Sequence, residues 1–128
     1  MLDSSPTKKI TIRFSANMRE AMRQHMLDAG YHLHGKSQWL VDSVKDFVTL
    51  PNYTELVEHG VSVNQGELCH VEAFYLSNDV EQLLQKAILA VRIENPLLEG
   101  VRSAIVRASV VHRLMSEEQR FSPGEKTI

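Results

Sequence analysis

The sequence predicts a mainly helical protein built from two strand–helix–helix repeats in one chain. Three observations support this. Each half contains a short strand-like segment, two amphipathic helical segments follow each of these, and the halves match at a nearly constant offset. A chain of 128 residues is long enough for one domain with its own core. No run of about 18 apolar residues occurs, so no transmembrane helix is expected.

The composition fits a globular protein, with 43% hydrophobic and 23% charged residues. The polar start, residues 1–9, does not resemble a secretory signal, and the single cysteine, Cys69, excludes an internal disulfide framework. We therefore expect the protein to be located in a reducing cytoplasm. The net charge of −2 is unevenly distributed. Residues 1–50 contain seven Lys and Arg against five Asp and Glu, and residues 100–128 contain five against three. Residues 51–99 between them contain two Lys and Arg against eight Asp and Glu. This distribution favours a local basic face.

The first unit is predicted over residues 8–50. Residues 8–14 alternate polar and apolar side chains, which predicts a half-buried strand with Ile10, Ile12 and Phe14 inward. Asn17, followed three residues later by Glu20, has the spacing of a helix cap. The helix that it opens has apolar spacing at Met18, Ala21, Met22, His25, Met26 and Ala29, and it ends at Gly30. Ser37 is the predicted cap of a second helix, with Leu40, Val41, Val44, Phe47 and Val48 inward.

The second unit is predicted over residues 68–115. A strand over 68–76 precedes a helix capped by Asp79 and Gln82, and Ser103 starts a last helix that ends near Met115. Residues 51–67 are a predicted linker with one short helical turn around 53–59, closed by Gly60. Residues 1–7 and 116–128 are predicted as flexible ends.

An internal repeat relates the two units. At an offset of 62, Phe14 matches Leu76 and Ser15 matches Ser77, while the Met18, Met22 and Met26 series matches Val80, Leu84 and Ile88. In the last helix the offset becomes 66, which pairs Ser37 with Ser103. The four-residue change falls between the two helices of the second unit, where insertions are easiest.

Two strand–helix–helix units of this length resemble the ribbon–helix–helix fold of the MetJ/Arc superfamily. The resemblance covers residues 8–50 and 68–115 and rests on patterns of apolar spacing. It implies that the two strands pair as an antiparallel ribbon above four helices, so that one chain forms a pseudo-dimer. Tandem proteins of this kind are known among the accessory DNA-binding proteins of bacterial conjugation and T-DNA transfer.

Members of that superfamily place the ribbon in the major groove of DNA. The corresponding outward positions are Lys9, Thr11 and Arg13. Lys and Arg can donate hydrogen bonds to guanine, and Thr can contact a thymine methyl. The matching positions of the second strand are Val71, Ala73 and Tyr75, none of them charged. This asymmetry predicts a lopsided ribbon, to which the second strand contributes the Tyr75 hydroxyl, apolar contacts or strand pairing alone.

Glu72 also departs from the pattern, because it matches the inward Ile10. A carboxylate there is costly unless it lies near the edge of the ribbon or is paired.

The resemblance further implies that the start of each second helix contacts DNA phosphates. These positions are Lys36 and Ser37 in the first unit and Arg102 and Ser103 in the second, with Arg107 one turn further on. The alternative interpretation is that Ser37 and Ser103 only cap their helices and that the neighbouring lysine and arginines are solvated.

Other motifs are weaker. Residues 30–37 match the phosphate-loop pattern G-x4-G-K-S, but the preceding segment is predicted as a helix, whereas that motif requires a buried strand. The His32/His34 pair and the Cys69/His70 pair lack a second motif at metal-ligand spacing. No catalytic arrangement is visible, so we expect neither an enzyme nor a cofactor or metal. Trp39 is predicted as a core residue.

The sequence thus favours a bacterial double-stranded DNA-binding protein without membrane association. A role as a conjugation or plasmid accessory factor, with a relaxase or other transfer protein as a possible partner, and a role as a transcriptional repressor both remain open. So do the monomeric pseudo-dimer and a homodimer that exchanges halves. The competing hypothesis is a ribbon–helix–helix-derived protein-interaction module that no longer binds DNA. It rests on the acidic middle of the chain and on the apolar second strand.

Overall fold

The computed structural model describes residues 7–32, 35–62 and 67–121. Its elements are two strands and five helices, in the order β1 (Thr7–Phe14), α1 (Ala16–Asp28), α2 (Lys36–Val48), α3 (Tyr53–Ser62), β2 (His70–Ser77), α4 (Asn78–Glu94) and α5 (Val101–Phe121). Within the described ranges, no helix is both long and apolar enough to cross a membrane. The prediction of a mainly helical protein with a two-stranded sheet is confirmed.

The two strands form an antiparallel ribbon. Thr7 lies opposite Ser77 and Phe14 opposite His70, and the middle of the ribbon pairs Thr11 with Ala73. Because side chains alternate along a strand, one face of the ribbon is apolar and lies against the helices. The predicted inward residues of β1, which are Ile10, Ile12 and Phe14, are at most 5% exposed. β2 adds the buried Phe74 and Leu76 to the same face.

The helices build the core beneath this face. α2 and α5 pack against each other at its centre, where Trp39, Leu40, Val44, Ile105, Val106 and Val110 are fully buried. The predicted core role of Trp39 is therefore confirmed. Its indole N–H donates a hydrogen bond to His25 Nδ1 at 2.9 Å. The Arg113 guanidinium lies 5.2 Å from the centre of a Trp39 ring. The predicted inward residues of α4 are buried or half-buried, whereas Ala21 and Ala29 in and after α1 are exposed.

Both predicted helix caps of α1 and α4 are wrong, because each helix begins directly after its strand. Ser15 is the N-cap of α1, and its Oγ accepts a hydrogen bond from the Met18 N–H at 3.2 Å. Ser77 occupies the same place before α4, with nearly the same backbone angles, φ −71° and ψ 166° against φ −73° and ψ 162°. Asn17 therefore lies inside a helix that is already capped.

The starts of α2 and α5 also differ from prediction. Gly35 is the N-cap of α2 and makes no side-chain cap, so Ser37 lies in the first turn. α5 starts at Val101, two residues before Ser103, and runs to Phe121, beyond the predicted end at Met115. Gly100, with a φ of +59°, turns the chain into α5 in a region that other residues rarely adopt.

The predicted linker contains a longer helix than expected. α3 runs from Tyr53 to Ser62 and continues through Gly60, which was predicted to end it. It packs against α5 and α4, and Val57 is 0% exposed in the common core. This part of the linker thus contributes to the stability of the domain. Of the predicted flexible ends, 1–7 and 116–128, residues 1–6 and 122–128 lie outside the described residues. The prediction is wrong for the rest, because Thr7 begins β1 and residues 116–121 continue α5.

Candidate nucleic-acid interface

The outer face of the ribbon brings together the predicted base-contacting residues. Lys9, Thr11 and Arg13 project from β1 and all are exposed. The register sets Tyr75 opposite Lys9, and Val71 opposite Arg13. Tyr75 and Val71 are each 54% exposed. The face therefore consists of a polar row beside an apolar row, as the sequence predicts.

The two cations of this row are available for a ligand. Among the described residues, neither Lys9 nor Arg13 forms a side-chain hydrogen bond or an ion pair. Lys9 is followed by the buried Ile10 and Arg13 by the buried Phe14, and the packing of these two side chains holds β1 against the helices. The rise per residue of a strand sets the Cα atoms of Lys9 and Arg13 about 13 Å apart on one face.

Arg107 adds a third cation near one end of this row. Its guanidinium Nη1 donates a hydrogen bond to the Arg13 backbone carbonyl at 3.0 Å, which joins α5 to the end of β1. Burial lowers the pKa of Arg107, but an arginine remains charged at neutral pH. Positive charge is therefore concentrated where β1 meets α5.

The start of α2 is anchored to β2. The Ser37 Oγ accepts a hydrogen bond from the backbone N–H of Tyr75 at 2.8 Å, which satisfies a donor at the edge of the ribbon. Lys36 Nζ donates to Glu72 Oε1 at 2.6 Å and lies 5.4 Å from the Phe74 ring centre. The two predicted phosphate-contacting residues of the first unit thus lie beside the ribbon, and both have partners within the protein.

Glu72 lies at an inward position of β2, where a carboxylate is costly unless it is paired, and the structure shows that it is paired. Its carboxylate accepts from Lys36 and, at 2.5 Å, from Arg19 Nε on α1. Burial opposes ionisation, but the hydrogen bonds and charges of the two cations outweigh it, so the pKa of Glu72 lies below its ordinary value. The side chain is 15% exposed.

A second carboxylate holds the start of α5 in a related way. Arg102 Nη2 lies 2.8 Å from Glu81 Oε2, and Lys8 Nζ lies 3.3 Å from the same oxygen. Burial again opposes ionisation, and hydrogen bonds from Gln85 and Lys8, with the charge of Arg102, lower the pKa of Glu81 overall. Ser103 is half-buried in the first turn of α5.

Sequence reasoning missed Glu81 as the partner of Arg102 and Arg19 as a second partner of Glu72. A signal was present, since the offset of 62 matches Arg19 with Glu81, a reversal of charge at equivalent positions. Beside Lys36, the carboxylate is Glu72 on β2 and the second cation is Arg19 on α1. Beside Arg102, the carboxylate is Glu81 on α4 and the second cation is Lys8 on β1.

An open groove of about 330 Å³ lies beside the start of α2. Its lining combines the cations Arg19, Arg23 and Lys36 with apolar α1 side chains and with His32 and Glu72. The positive rim extends the basic surface from the Lys36 end of the ribbon onto α1.

The weaker motifs gain no support from the geometry. The segment before the G-x4-G-K-S match is helix α1, and Gly30, with a φ of +86°, ends it: the Tyr31 N–H donates to the Met26 carbonyl at 2.9 Å. Cys69 is exposed and has a free thiol. His34 lies outside the described residues. In the part of the chain that is described, no group of three His, Cys, Asp or Glu side chains is placed to hold a metal ion.

Comparisons of the chain with protein-family models, with curated protein sequences and with solved structures find no match.

Proposed function

We propose that the chain is a double-stranded DNA-binding protein of the ribbon–helix–helix type, whose ribbon inserts into the major groove. The observation that supports it most is the exposed row of Lys9, Thr11 and Arg13, whose cations have no partner among the described residues. A two-stranded ribbon fits the width of the major groove, and these side chains match the hydrogen-bonding groups of base edges there.

The strand register supports a single-chain pseudo-dimer. Under the offset of 62, residues 8–14 of β1 have their equivalents at residues 70–76 of β2. A twofold axis between two antiparallel strands requires one residue to lie directly opposite its own equivalent. Thr11 lies opposite Ala73, which is that pair. The matching backbone at Ser15 and Ser77 agrees with the same axis.

The starts of α2 and α5 are the proposed phosphate contacts. Lys36 with Ser37, and Arg102 with Ser103, flank the ribbon, so a bound duplex brings its two phosphate backbones towards them. Phosphate must compete with Glu72 and Glu81 for the two cations. We therefore expect binding of moderate strength in which Lys9, Arg13 and Arg107 supply much of the affinity.

A titration of labelled duplex DNA, followed by fluorescence anisotropy at about 50 and about 200 mM salt, tests this function. The wild type should bind and weaken steeply with salt. Lys9→Ala and Arg13→Ala should each weaken binding, by about tenfold or more where a base contact is lost. The matched control is Lys45→Ala, an exposed lysine in the last turn of α2, which should bind like the wild type.

A protein-interaction module is the second candidate, favoured by the exposed apolar side chains of Val71 and Tyr75. Failure of the wild type to bind any duplex at about 50 mM salt would exclude the DNA proposal and favour this one. Whether a DNA-binding chain acts as a repressor or as an accessory factor beside a relaxase, in the cytoplasm of a bacterium, depends on the target site. Selection of bound sequences from a random duplex library would identify that site.

A further inference from the structure

The two strands of the ribbon carry unlike side chains at equivalent positions of its outer face. The offset of 62 makes Val71 the equivalent of Lys9, and Tyr75 the equivalent of Arg13. All four residues are exposed. Each pair thus combines a cation on β1 with an uncharged residue on β2. The repeat that relates the two strands therefore does not extend to the side chains that are available to a ligand.

The register places one cation on each side of the middle of the ribbon. Lys9 lies opposite Tyr75 on one side, and Arg13 lies opposite Val71 on the other. A twofold axis through the middle of the ribbon and perpendicular to it carries Lys9 onto Val71 and Arg13 onto Tyr75. The rotation exchanges each cation with an uncharged side chain. The two sides of the outer face are therefore chemically different.

These side chains suit different bases. Lysine and arginine side chains are donors only, and they match the O6 and N7 acceptors of guanine in the major groove. A valine side chain forms no hydrogen bond, but it fits the methyl group of thymine. Tyrosine offers an apolar ring and a single hydroxyl, so it cannot replace the two donors of an arginine. In a palindrome the bases that face Lys9 and Val71 are the same, whereas these side chains favour guanine and thymine.

A third cation adds to the difference between the two sides. Arg107 donates its hydrogen bond to the Arg13 carbonyl, so it lies at the Arg13 end of the ribbon. Under the offset of 66 its equivalent is Val41, which is 8% exposed and belongs to the core. An apolar residue thus stands at the position that corresponds to Arg107. The asymmetry of the strands extends to the helices that pack against them.

We infer that the chain binds a non-palindromic DNA site in one orientation, with guanines facing Lys9 and Arg13 and a thymine facing Val71. The inference rests on the proposed function and names the class of site that the ribbon recognises. Two identical units require a site with two equal halves, because the symmetry of the protein is repeated in the DNA. Two unlike units in one chain do not. A duplex bound in the reverse orientation sets Val71 against a guanine, whose acceptors then lack a donor.

Selection of bound sequences from a random duplex library, at about 50 mM salt, tests the symmetry of the site. The full-length wild type should select a site whose two halves differ. Val71→Lys combined with Tyr75→Arg makes these positions the same on both strands, and it should select a site that is palindromic outside its centre. The matched control is Leu89→Lys combined with Ile93→Arg, which adds the same charges at exposed residues of α4. This control should select the wild-type site.

Anisotropy titrations then measure single contacts in the selected site. A palindrome built from either half of that site should bind the wild type about tenfold more weakly or worse, because at least one base is then mismatched. Replacement of the thymine that faces Val71 by deoxyuridine removes only the methyl group, and it should weaken binding by about fourfold. In Val71→Ala the same replacement should have little effect, since the apolar contact is already lost.

A failure of this inference is distinguishable from a failure of the proposed function. Absence of duplex binding by the wild type at about 50 mM salt overturns both. A wild type that binds duplex DNA but selects a palindrome, or no particular sequence, overturns this inference alone. So does a β2 double variant that keeps the wild-type site, an α4 control that selects a different site, or an equal effect of deoxyuridine on the wild type and on Val71→Ala.

Discussion

Replacement of Glu72 by glutamine should lower the stability of the fold and raise its affinity for DNA. Glutamine keeps the shape of the side chain but removes the charge that holds Arg19 and Lys36, whose nitrogens lie 2.5 and 2.6 Å from its oxygens. The substitution therefore weakens two contacts between the halves of the chain. It also releases a lysine that we propose to contact phosphate.

The loss of stability follows from the exposure of the three side chains. Glu72 is 15% exposed, but Arg19 and Lys36 are 52% and 39% exposed and regain water when the carboxylate is lost. The cost is then well below the 3–5 kcal/mol of a fully buried pair, and we expect about 1–2 kcal/mol. Urea unfolding followed by circular dichroism at neutral pH measures it, with Glu20→Gln, an exposed carboxylate on α1, as the control.

The difference should depend on pH in one direction. The pKa of Glu72 is lower in the folded protein than in the unfolded chain, so its ionised form stabilises the fold above the unfolded pKa. This contribution is lost as the pH falls through the folded pKa, where the wild-type carboxylate becomes protonated. The stabilities of wild type and Glu72→Gln should therefore converge in acid. A difference that stays constant from neutral pH to acid would contradict the role of the charge.

The gain in DNA affinity should depend on Lys36. A released lysine that gains one phosphate contact steepens the dependence of log K on log salt by about 0.9. In a Lys36→Ala background this steepening should largely disappear, which separates a released contact from a general change in net charge. Glu20→Gln again supplies the control for net charge. Equal gains in affinity from Glu72→Gln and Glu20→Gln would refute the coupling.

Four further substitutions test the fold by urea unfolding. Ser15→Ala should lower the free energy of unfolding by about 1 kcal/mol because it removes the cap of α1, whereas Asn17→Ala should lower it much less. A larger loss in Asn17→Ala than in Ser15→Ala would mean that Asn17 is the cap. Val57→Ala should cost about 2 kcal/mol, because Val57 is fully buried between α3 and the core, and a negligible cost would show that α3 is not part of the cooperative unit. Gly100→Ala should cost about 1 kcal/mol from its positive φ alone, since no atom lies within 4 Å of an added Cβ, and an unchanged stability would contradict that backbone conformation.

The faces of the strands and helices could be predicted because a buried surface imposes a period on the sequence. Ile10, Ile12 and Phe14 recur every second residue, and the inward residues of α4 recur at helical spacing. Both patterns depend only on local geometry. The positions of helix starts could not be predicted as well. Ser15 and Asn17 are both good capping residues, and only the tight junction between β1 and α1 selects the first.

The ion pairs depend on information that the sequence pattern does not contain. Glu72 meets Arg19 across 53 positions of the chain, and this contact requires the register of the ribbon and the packing of α1 together. The sequence supplied only the condition that a carboxylate at an inward position needs a partner. The exposed row of Lys9 and Arg13 could be predicted, because alternation alone decides which side chains face outward.

The ion pairs also indicate which halves can pair. In the proposed pseudo-dimer, Ile10 is equivalent to Glu72, and Arg19 is equivalent to Glu81. Two first units paired with each other would set Arg19 near Ile10, without a carboxylate. Two second units would bring Glu72 towards Glu81, so that like charges face each other in a partly buried site. Only a first unit with a second unit gives Glu72 both Arg19 and Lys36, and gives Glu81 Lys8 in addition to Arg102 of its own unit. The same charges that oppose phosphate binding at Lys36 and Arg102 therefore favour the pairing of unlike halves, and a chain that contains one of each satisfies this preference within itself.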